Sequence, residues 1–440
     1  DFCLSRGLGD VYKRQAVDEP SAARDRFGFP IDPSVGYARG QILDGPVADM
    51  KRLTRARQIA ADYTARSDEA YFTNLTGNAG DFPLRSSDLE LCNEWTAPGI
   101  FHRQLHEHAR EHLGGADEDD FALIARTSSV LVAWMSLFGS SSPVLSVVPS
   151  GGHSHHSLRM GAHMAASQLT EVSAAEVDRD SLDRLDPQCA VITSVTSSLE
   201  ELTSSEIVRV ASLLRERGCV VLLDDAYGAR VRPVLRWGLR SLQTGVDVAV
   251  TNVDKAALGG PRAALVGGRR DLVEAVSTWC AEAGMDARGP IVAATVRALE
   301  DYDPIHLKRD AADGQLVSGA LMRSLGAGQV QPGLLGPTIR EEDALELAIA
   351  RSGGGNPHAV RPCEVTAAIG ISLLRQGIVT VNALGPPGAR VSLRMKPTAF
   401  ALERAGGEDV IAGHLDDALD EVSQLIQDID SLRTHIIGEA

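Results

Sequence analysis

Lysine is scarce in this chain. Of 43 basic residues, only Lys13, Lys51, Lys255, Lys308 and Lys396 are lysines. Lys255 stands in Thr251-Asn-Val-Asp-Lys255, just before Gly259-Gly-Pro-Arg262, and is preceded in the chain by Asp224-Asp-Ala-Tyr-Gly-Ala-Arg230. An amine so placed is a carbonyl nucleophile. A carboxylate such as Asp224 can keep a heteroaromatic nitrogen protonated. Thr127, Ser128 and Ser129 follow Arg126 where a helix can begin, and offer hydroxyls and backbone N–H groups to a phosphate. His155, within Gly151-Gly-His-Ser-His-His-Ser157, can lay an imidazole on a flat ring.

Each of these groups follows a short β-branched or apolar run. Residues 121–125, 144–148, 190–195, 219–223, 247–253 and 263–267 read as strands. Between two of them, Thr203-Ser-Ser-Glu206 is a capping box. Ile207, Val210, Ala211 and Leu214 line one helical face behind it, and Gly218 closes that helix. Continuous apolar strands alternating with helices predict an α/β fold with a mostly parallel sheet covered on both sides. In such sheets ligands bind at the carboxyl ends of the strands, which is where the polar groups lie.

Together these groups make a pyridoxal-phosphate site, with Lys255 as the Schiff-base lysine and Asp224, rather than Asp225, at the pyridine nitrogen. The motifs resemble fold type I pyridoxal-phosphate enzymes. Within them they are most similar to the selenocysteine synthase (L-seryl-tRNA selenium transferase)-like branch and its uncharacterised relatives. The resemblance rests on Arg126-Thr-Ser-Ser129, the Ser-His-x-Ser stretch, Asp224-Asp-Ala-Tyr-Gly-Ala-Arg230 and Asp254-Lys255…Gly-Gly-Pro-Arg262. It implies that Ala226 packs beneath the ring, Tyr227 reaches the phenolic oxygen and His155 covers the opposite face. It also implies that Thr127, Ser128, Ser129 and Arg262 hold the phosphate, and that the protein is a homodimer or larger homo-oligomer. Tyr227 departs from the small residue that close relatives often carry there. The implied activity is elimination or replacement on an amino-acid-like substrate, by a lyase or transferase; an aminotransferase is the alternative. Arg394 and Arg390 are the expected anchors for the substrate carboxylate, with Arg230 and Arg361 as competitors.

Composition excludes other classes. With 59 acidic residues the net charge is −16, which disfavours nucleic acid and the seryl-tRNA reaction itself. No charge-free apolar run is long enough to span a membrane. Six scattered cysteines without a CxxC pair fit a reducing cytoplasm. There is no GxGxxG after a strand and no Gly-Lys dipeptide. His102, His106, His108 and His112 include two i,i+4 pairs, the basis of a rival metal-dependent hydrolase reading; no metal site is expected. Residues 1–15 resemble translated adapter sequence and are set aside as a non-native leader. Beyond them the expected layout is an N-terminal segment to residue 95, a large cofactor-binding domain over 96–310 and a small α+β domain over 311–440. The last has strands at 378–383 and 390–395, and one terminal helix presenting Leu415, Leu419, Val422, Ile426 and Ile429.

Overall fold

The computed structural model describes residues 23–66, 71–139, 143–196, 200–354, 360–389 and 391–438. The leader, Cys3 and Arg390 lie outside them. The central sheet has seven strands: β1 Asp120–Ile124, β2 Val144–Val148, β3 Leu169–Ser173, β4 Cys189–Thr193, β5 Val220–Asp224, β6 Val248–Asn252 and β7 Ala264–Gly268. Their order is β1-β7-β6-β5-β4-β2-β3. β7 runs antiparallel to both its neighbours and every other pairing is parallel. The expected α/β fold is therefore present, with strand ends within a residue or two of their expected places.

Strand alternation explains why the strands read as unbroken apolar runs. Val191, Leu222 and Val248 enter one core, while Ala190, Ile192, Val221, Leu223 and Ala249 enter the other. Both faces are buried, so apolar residues dominate, and the polar exceptions Thr193, Asp224 and Thr251 sit near the carboxyl ends. Ahead of the sheet come helices α1 (Pro46–Thr64) and α2 (Ala97–Leu113). Helix α3 (Thr127–Phe138) buries Val130, Leu131, Trp134 and Met135 in the first core, joined there by Leu158 of α4 (His156–Met164). Helix α5 (Ser204–Arg215) covers the other side with Ile207, Val210, Ala211 and Leu214. Its capping box forms as expected: Thr203 Oγ1 accepts from the Glu206 N–H, and Glu206 Oε2 accepts from the Thr203 N–H. Helix α6 (Gly228–Leu235) starts just beyond β5.

A second core lies in the C-terminal half, among α7 (Pro304–Leu325), α8 (Pro362–Arg375), α9 (Glu408–Leu425) and α10 (Ile429–Ile437). The expected boundary at 310 falls inside α7. Tyr37, Ile42, Leu43, Ala48 and Leu75 share this core, so the N-terminal segment packs as part of the C-terminal body. Buried Glu364 holds it there by accepting from the Ile42 N–H at 2.6 Å. Among the described residues no helix is long and apolar enough to cross a membrane.

Three local expectations are corrected. The strand over 378–383 is only Ile378–Val379, paired with Thr73–Asn74, and the chain then turns into the short helix Val381–Leu384. Arg52 of α1, itself buried, donates to the carbonyls of Asn382, Ala383 and Gly385, the groups that a strand would have needed for pairing. The strand over 390–395 shrinks to Leu393–Arg394, paired with Thr338–Ile339. The single terminal helix breaks after Leu425, because Asp428 caps a new one by accepting from the Asp430 and Ser431 N–H groups.

Arg52→Met keeps the apolar stem but strands three carbonyls. It is expected to lower stability by roughly 3 kcal/mol or more, read as a fall in the denaturation midpoint.

Candidate active site

Two adjacent carboxylates end β5, and their surroundings separate them. Asp225 is fully buried and saturated. It takes both Arg232 Nη1 and Nη2, at 3.0 and 2.5 Å, and the hydroxyls of Ser194 and Ser241 at 2.5 and 2.7 Å. Burial alone would raise its pKa, but the Arg232 guanidinium and the two hydroxyls hold it below the ordinary carboxylate range. Asp224 is 6% exposed, and its Oδ1 has no hydrogen-bond partner among the described residues. Burial pushes it up to about 7, against the pull of Lys255 and with a further push from Asp225. The choice of Asp224 over Asp225 thus has a physical basis: one carboxylate is used by the fold and the other is not.

Lys255 follows β6 on the neighbouring strand. Its Nζ donates to Asn252 Oδ1 at 3.1 Å, and Asn252 Nδ2 donates to Thr127 Oγ1 at 2.8 Å, which links the amine to the start of α3. Burial lowers the Lys255 pKa; Asp254 and Asp224 oppose this, while Arg262 and Arg230 add to it. The Lys255 carbonyl accepts from Leu258 N–H and from Arg230 Nε. The next two residues, Ala256 and Ala257, sit at φ +50° and +63°, a left-handed pair without glycine. Arg230 is committed to this framework, so it is not available to bind a substrate carboxylate. Of its competitors, Arg361 lies over the Phe29 ring, 3.7 Å from its centroid.

At the start of α3, Ser128 Oγ accepts from Ser157 Oγ at 2.7 Å, and Ser157 in turn meets His155 Nδ1 at 2.9 Å. His155 is the N-cap of α4. Burial, then the charges of His156, Lys255 and Arg126, keep its imidazole neutral. Ser129 is buried, with its N–H bonded back to the Arg126 carbonyl. Arg262 is half exposed, with Nε 3.6 Å from Asp254. The Ala226 carbonyl accepts from Arg230 Nη2 and Thr251 Oγ1. Two amines lie over the Tyr227 ring, with Lys255 Nζ 5.1 Å and Lys396 Nζ 4.4 Å from its centroid. Arg394 is close enough for its charge to act on both Tyr227 and Lys396.

The structure therefore brings Lys255, Asp224, Thr127, Ser128, His155, Tyr227, Ala226 and Arg394 around one region. Asn252 and Lys396 belong to it as well and were not anticipated. Scarcity of lysine was the one signal that pointed toward Lys396.

No protein-family model matches the chain. It is 32% identical over 405 residues to a UPF0425 pyridoxal phosphate-dependent protein of Methanothermobacter thermautotrophicus, covering 90% of this chain and all of that one. The chain belongs to this UPF0425 family. Its fold is also similar to a chain of the SepCysS–SepCysE N-terminal domain complex, with a TM-score of 0.55 at 12% identity, covering 81% of this chain and 97% of that one. L-threonine transaldolase of Pseudomonas fluorescens is similar at a TM-score of 0.53 and 14% identity, over 87% and 90% of the two chains. The fold is thus that of fold type I enzymes.

In this UPF0425 chain the four histidines of α2 do not converge. The His102 and His106 rings stack at 4.1 Å, His106 faces Asp120, and His108 lies 3.8 Å from Glu300. His112 meets Arg230 Nη1 at 3.1 Å, and burial brings its pKa down to about 3. Among the described residues no three His, Cys, Asp or Glu side chains are grouped to hold a metal.

Asp224 makes a testable pH dependence. Its pKa is raised from 3.8 to about 7, so the fold favours the protonated form. This contribution is complete below pH 4 and is lost as pH rises through 7, a change of about 4 kcal/mol. Cofactor-free Asp224→Asn is therefore expected to melt higher than wild type at pH 8, with a flatter profile between pH 4 and 7. Asp225→Asn is expected to lose about 3–5 kcal/mol instead, because it leaves Arg232 buried and unpaired. Similar melting shifts for the two variants would contradict the separation of their roles.

Proposed function

We propose that the chain binds pyridoxal 5′-phosphate and acts on an amino-acid-like substrate by elimination or replacement, as a carbon–heteroatom lyase or transferase. The observation that carries this reading is the buried, unpartnered Asp224 Oδ1 beside the Lys255 amine on the next strand. A protonated pyridine nitrogen is the donor this oxygen lacks, and its positive charge would offset the cost of burying the carboxylate. The family name of the relatives and the motif resemblance support the same cofactor.

The site residues fit that group. Thr127, Ser128 and Ser129 at the start of α3, with Arg262 nearby, suit its phosphate. Lys255 suits its carbonyl carbon, and His155 and Ala226 suit the two faces of its ring. The cofactor, when bound, supplies an electron sink for charge developing at the substrate Cα. The chain supplies the rest. Asp224 holds the proton at the ring nitrogen. Lys255, whose lowered pKa makes its neutral amine accessible, takes and returns the Cα proton. Burial pushes the Tyr227 phenol up to about 12, so it stays a neutral donor toward the cofactor oxygen. Arg394, with Arg390 beyond the described residues, holds the substrate carboxylate. The acidic surface argues against a nucleic-acid partner, and the cytoplasm is the proposed compartment.

A homodimer or larger homo-oligomer is part of the proposal. Residues 82–100 expose Phe82, Leu89, Leu91, Trp95 and Ile100, with Trp95 92% exposed. So concentrated an apolar stretch marks a surface that is covered in the working state.

Two measurements test the proposal. Protein purified with pyridoxal phosphate is expected to show a visible absorption band. Borohydride should then fix the cofactor mass on the Lys255 peptide, and Lys255→Ala should abolish both signals. Mass on the Lys396 peptide, or no band in wild type, would refute the site. On an amino-acid panel, ammonia and keto acid with a released leaving group support elimination; a released leaving group with a new amino acid and no ammonia, when a second nucleophile is supplied, supports replacement; keto acid with pyridoxamine phosphate assigns an aminotransferase instead. Separately, the double variant Leu89→Glu/Trp95→Glu is expected to sediment as a monomer where wild type does not.

A further inference from the structure

Lys396 is 3% exposed, yet no hydrogen bond or ion pair holds its amine among the described residues. A buried ammonium without a counter-ion is costly, and a lysine retained inside a fold is ordinarily paired. It lies against the Tyr227 ring, and burial, then the positive charges of Arg394 and Lys255, lower its pKa, so its ammonium form calls for an anion that arrives with a ligand. Lys255 and Lys396 stand at 5.1 and 4.4 Å from the same ring centroid, so the two amines lie within reach of one small molecule.

The amine is placed with care. The Lys396 N–H donates to the Leu75 carbonyl, and the Lys396 carbonyl accepts from the Gly77 N–H. Gly77 has φ +72°, and a Cβ there would lie 2.9 Å from Lys396 Cδ and 3.1 Å from Tyr227 Oη. Lys396 and Lys255 both line a cavity of about 510 Å³. Asp81, Asp254 and Asp310 line it too, but none pairs with Lys396: Asp254 faces Arg262 at 3.6 Å and acts on Lys255, and burial pushes Asp81 and Asp310 toward their neutral forms.

We propose that Lys396 sets substrate specificity by binding a second acidic group, a carboxylate, sulfonate or phosphate, on the side chain of the amino-acid substrate. The proposal rests on the reading of Lys255 given above. The substrate amine takes the place of Lys255 and its α-carboxylate goes to arginine, so the amine of Lys396 is left for a further anion. Such an anion supplies the missing counter-charge.

The test uses holoenzyme and follows the visible band during titration with aspartate, cysteate and O-phosphoserine, each against the neutral isosteres asparagine and serine. At least one acidic compound is expected to act at about tenfold lower concentration than its neutral partner. The acidic compound that wins identifies the anion. Lys396→Met should erase that preference while still forming the band, and Lys396→Arg should keep it. A neutral preference in wild type, or an unchanged acidic preference in Lys396→Met, overturns the proposal. If wild type forms no band, the cofactor reading fails, and Lys396 is read separately on cofactor-free protein. Succinate or inorganic phosphate should then slow acetylation of the Lys396 peptide by an amine reagent; equal rates with and without them overturn the assignment.

Discussion

The geometry of the site hangs on the buried guanidinium of Arg230. It donates to the carbonyls of Ala226, Asn252 and Lys255, to Thr251 Oγ1 and to His112 Nε2, at 2.8–3.2 Å. Those carbonyls lie at and just beyond the ends of β5 and β6, where the parallel pairing between the two strands has stopped at Asp224 and Val250. A buried arginine without a bonded carboxylate is tolerable only when its donors are all occupied, and here the fork is filled. Filling it fixes the strand end bearing Asp224 relative to the turn bearing Lys255. It also dictates that His112 be neutral, since its ring must accept. A histidine that looked available for metal from its spacing is thus spent on holding the lysine turn in place.

Around that anchor the site is poorly satisfied. Two consecutive alanines hold left-handed conformations directly after Lys255, at roughly 1–3 kcal/mol each. Asp224 buries an oxygen with no donor among the described residues, while Asp225 beside it is bonded four times over. Lys396 is buried among cations. Such concentrated dissatisfaction beside a well-packed double-sided sheet is what a site awaiting a charged ligand looks like. The same residues that lower stability are those that a cofactor and an acidic substrate would complete.

Much of the sheet was legible because β4, β5, β6 and β7 are covered on both faces, and apolar residues dominate there. β3 was missed because Leu169–Ser173 is a half-buried edge strand whose Thr170 and Glu171 break the apolar run. The motif around Asp224 and Lys255 was legible because local spacing places both groups at adjacent strand ends. Tertiary choices were not. Nothing local says that Arg52 will take the carbonyls of a would-be strand, or that Arg230 will serve the backbone rather than a substrate. Asn252 stands three residues before Lys255 and bonds its amine, but its link to Thr127 is tertiary, and Lys396 joins the site only through packing between distant segments.

The scarcity of lysine acquires a physical meaning from this arrangement. Lys51 and Lys308 are exposed, while the amines of Lys255 and Lys396 both lie over one tyrosine ring. Elsewhere the chain uses arginine for buried pairing and surface bridges, including Arg232 with Asp225 and Arg297 with Asp88. Arginine cannot give up its proton within a protein, whereas a buried lysine readily can. Arginine therefore suffices wherever a fixed positive charge or a hydrogen-bond fork is needed. Lysine is required where the amine must be a nucleophile or must change charge. That both interior lysines face the same ring is an argument that amine chemistry, and not merely positive charge, is concentrated at this end of the sheet. A chain of net charge −16 can hold such a site because its interior amines are few and recessed, with Asp254 and Asp224 acting on Lys255.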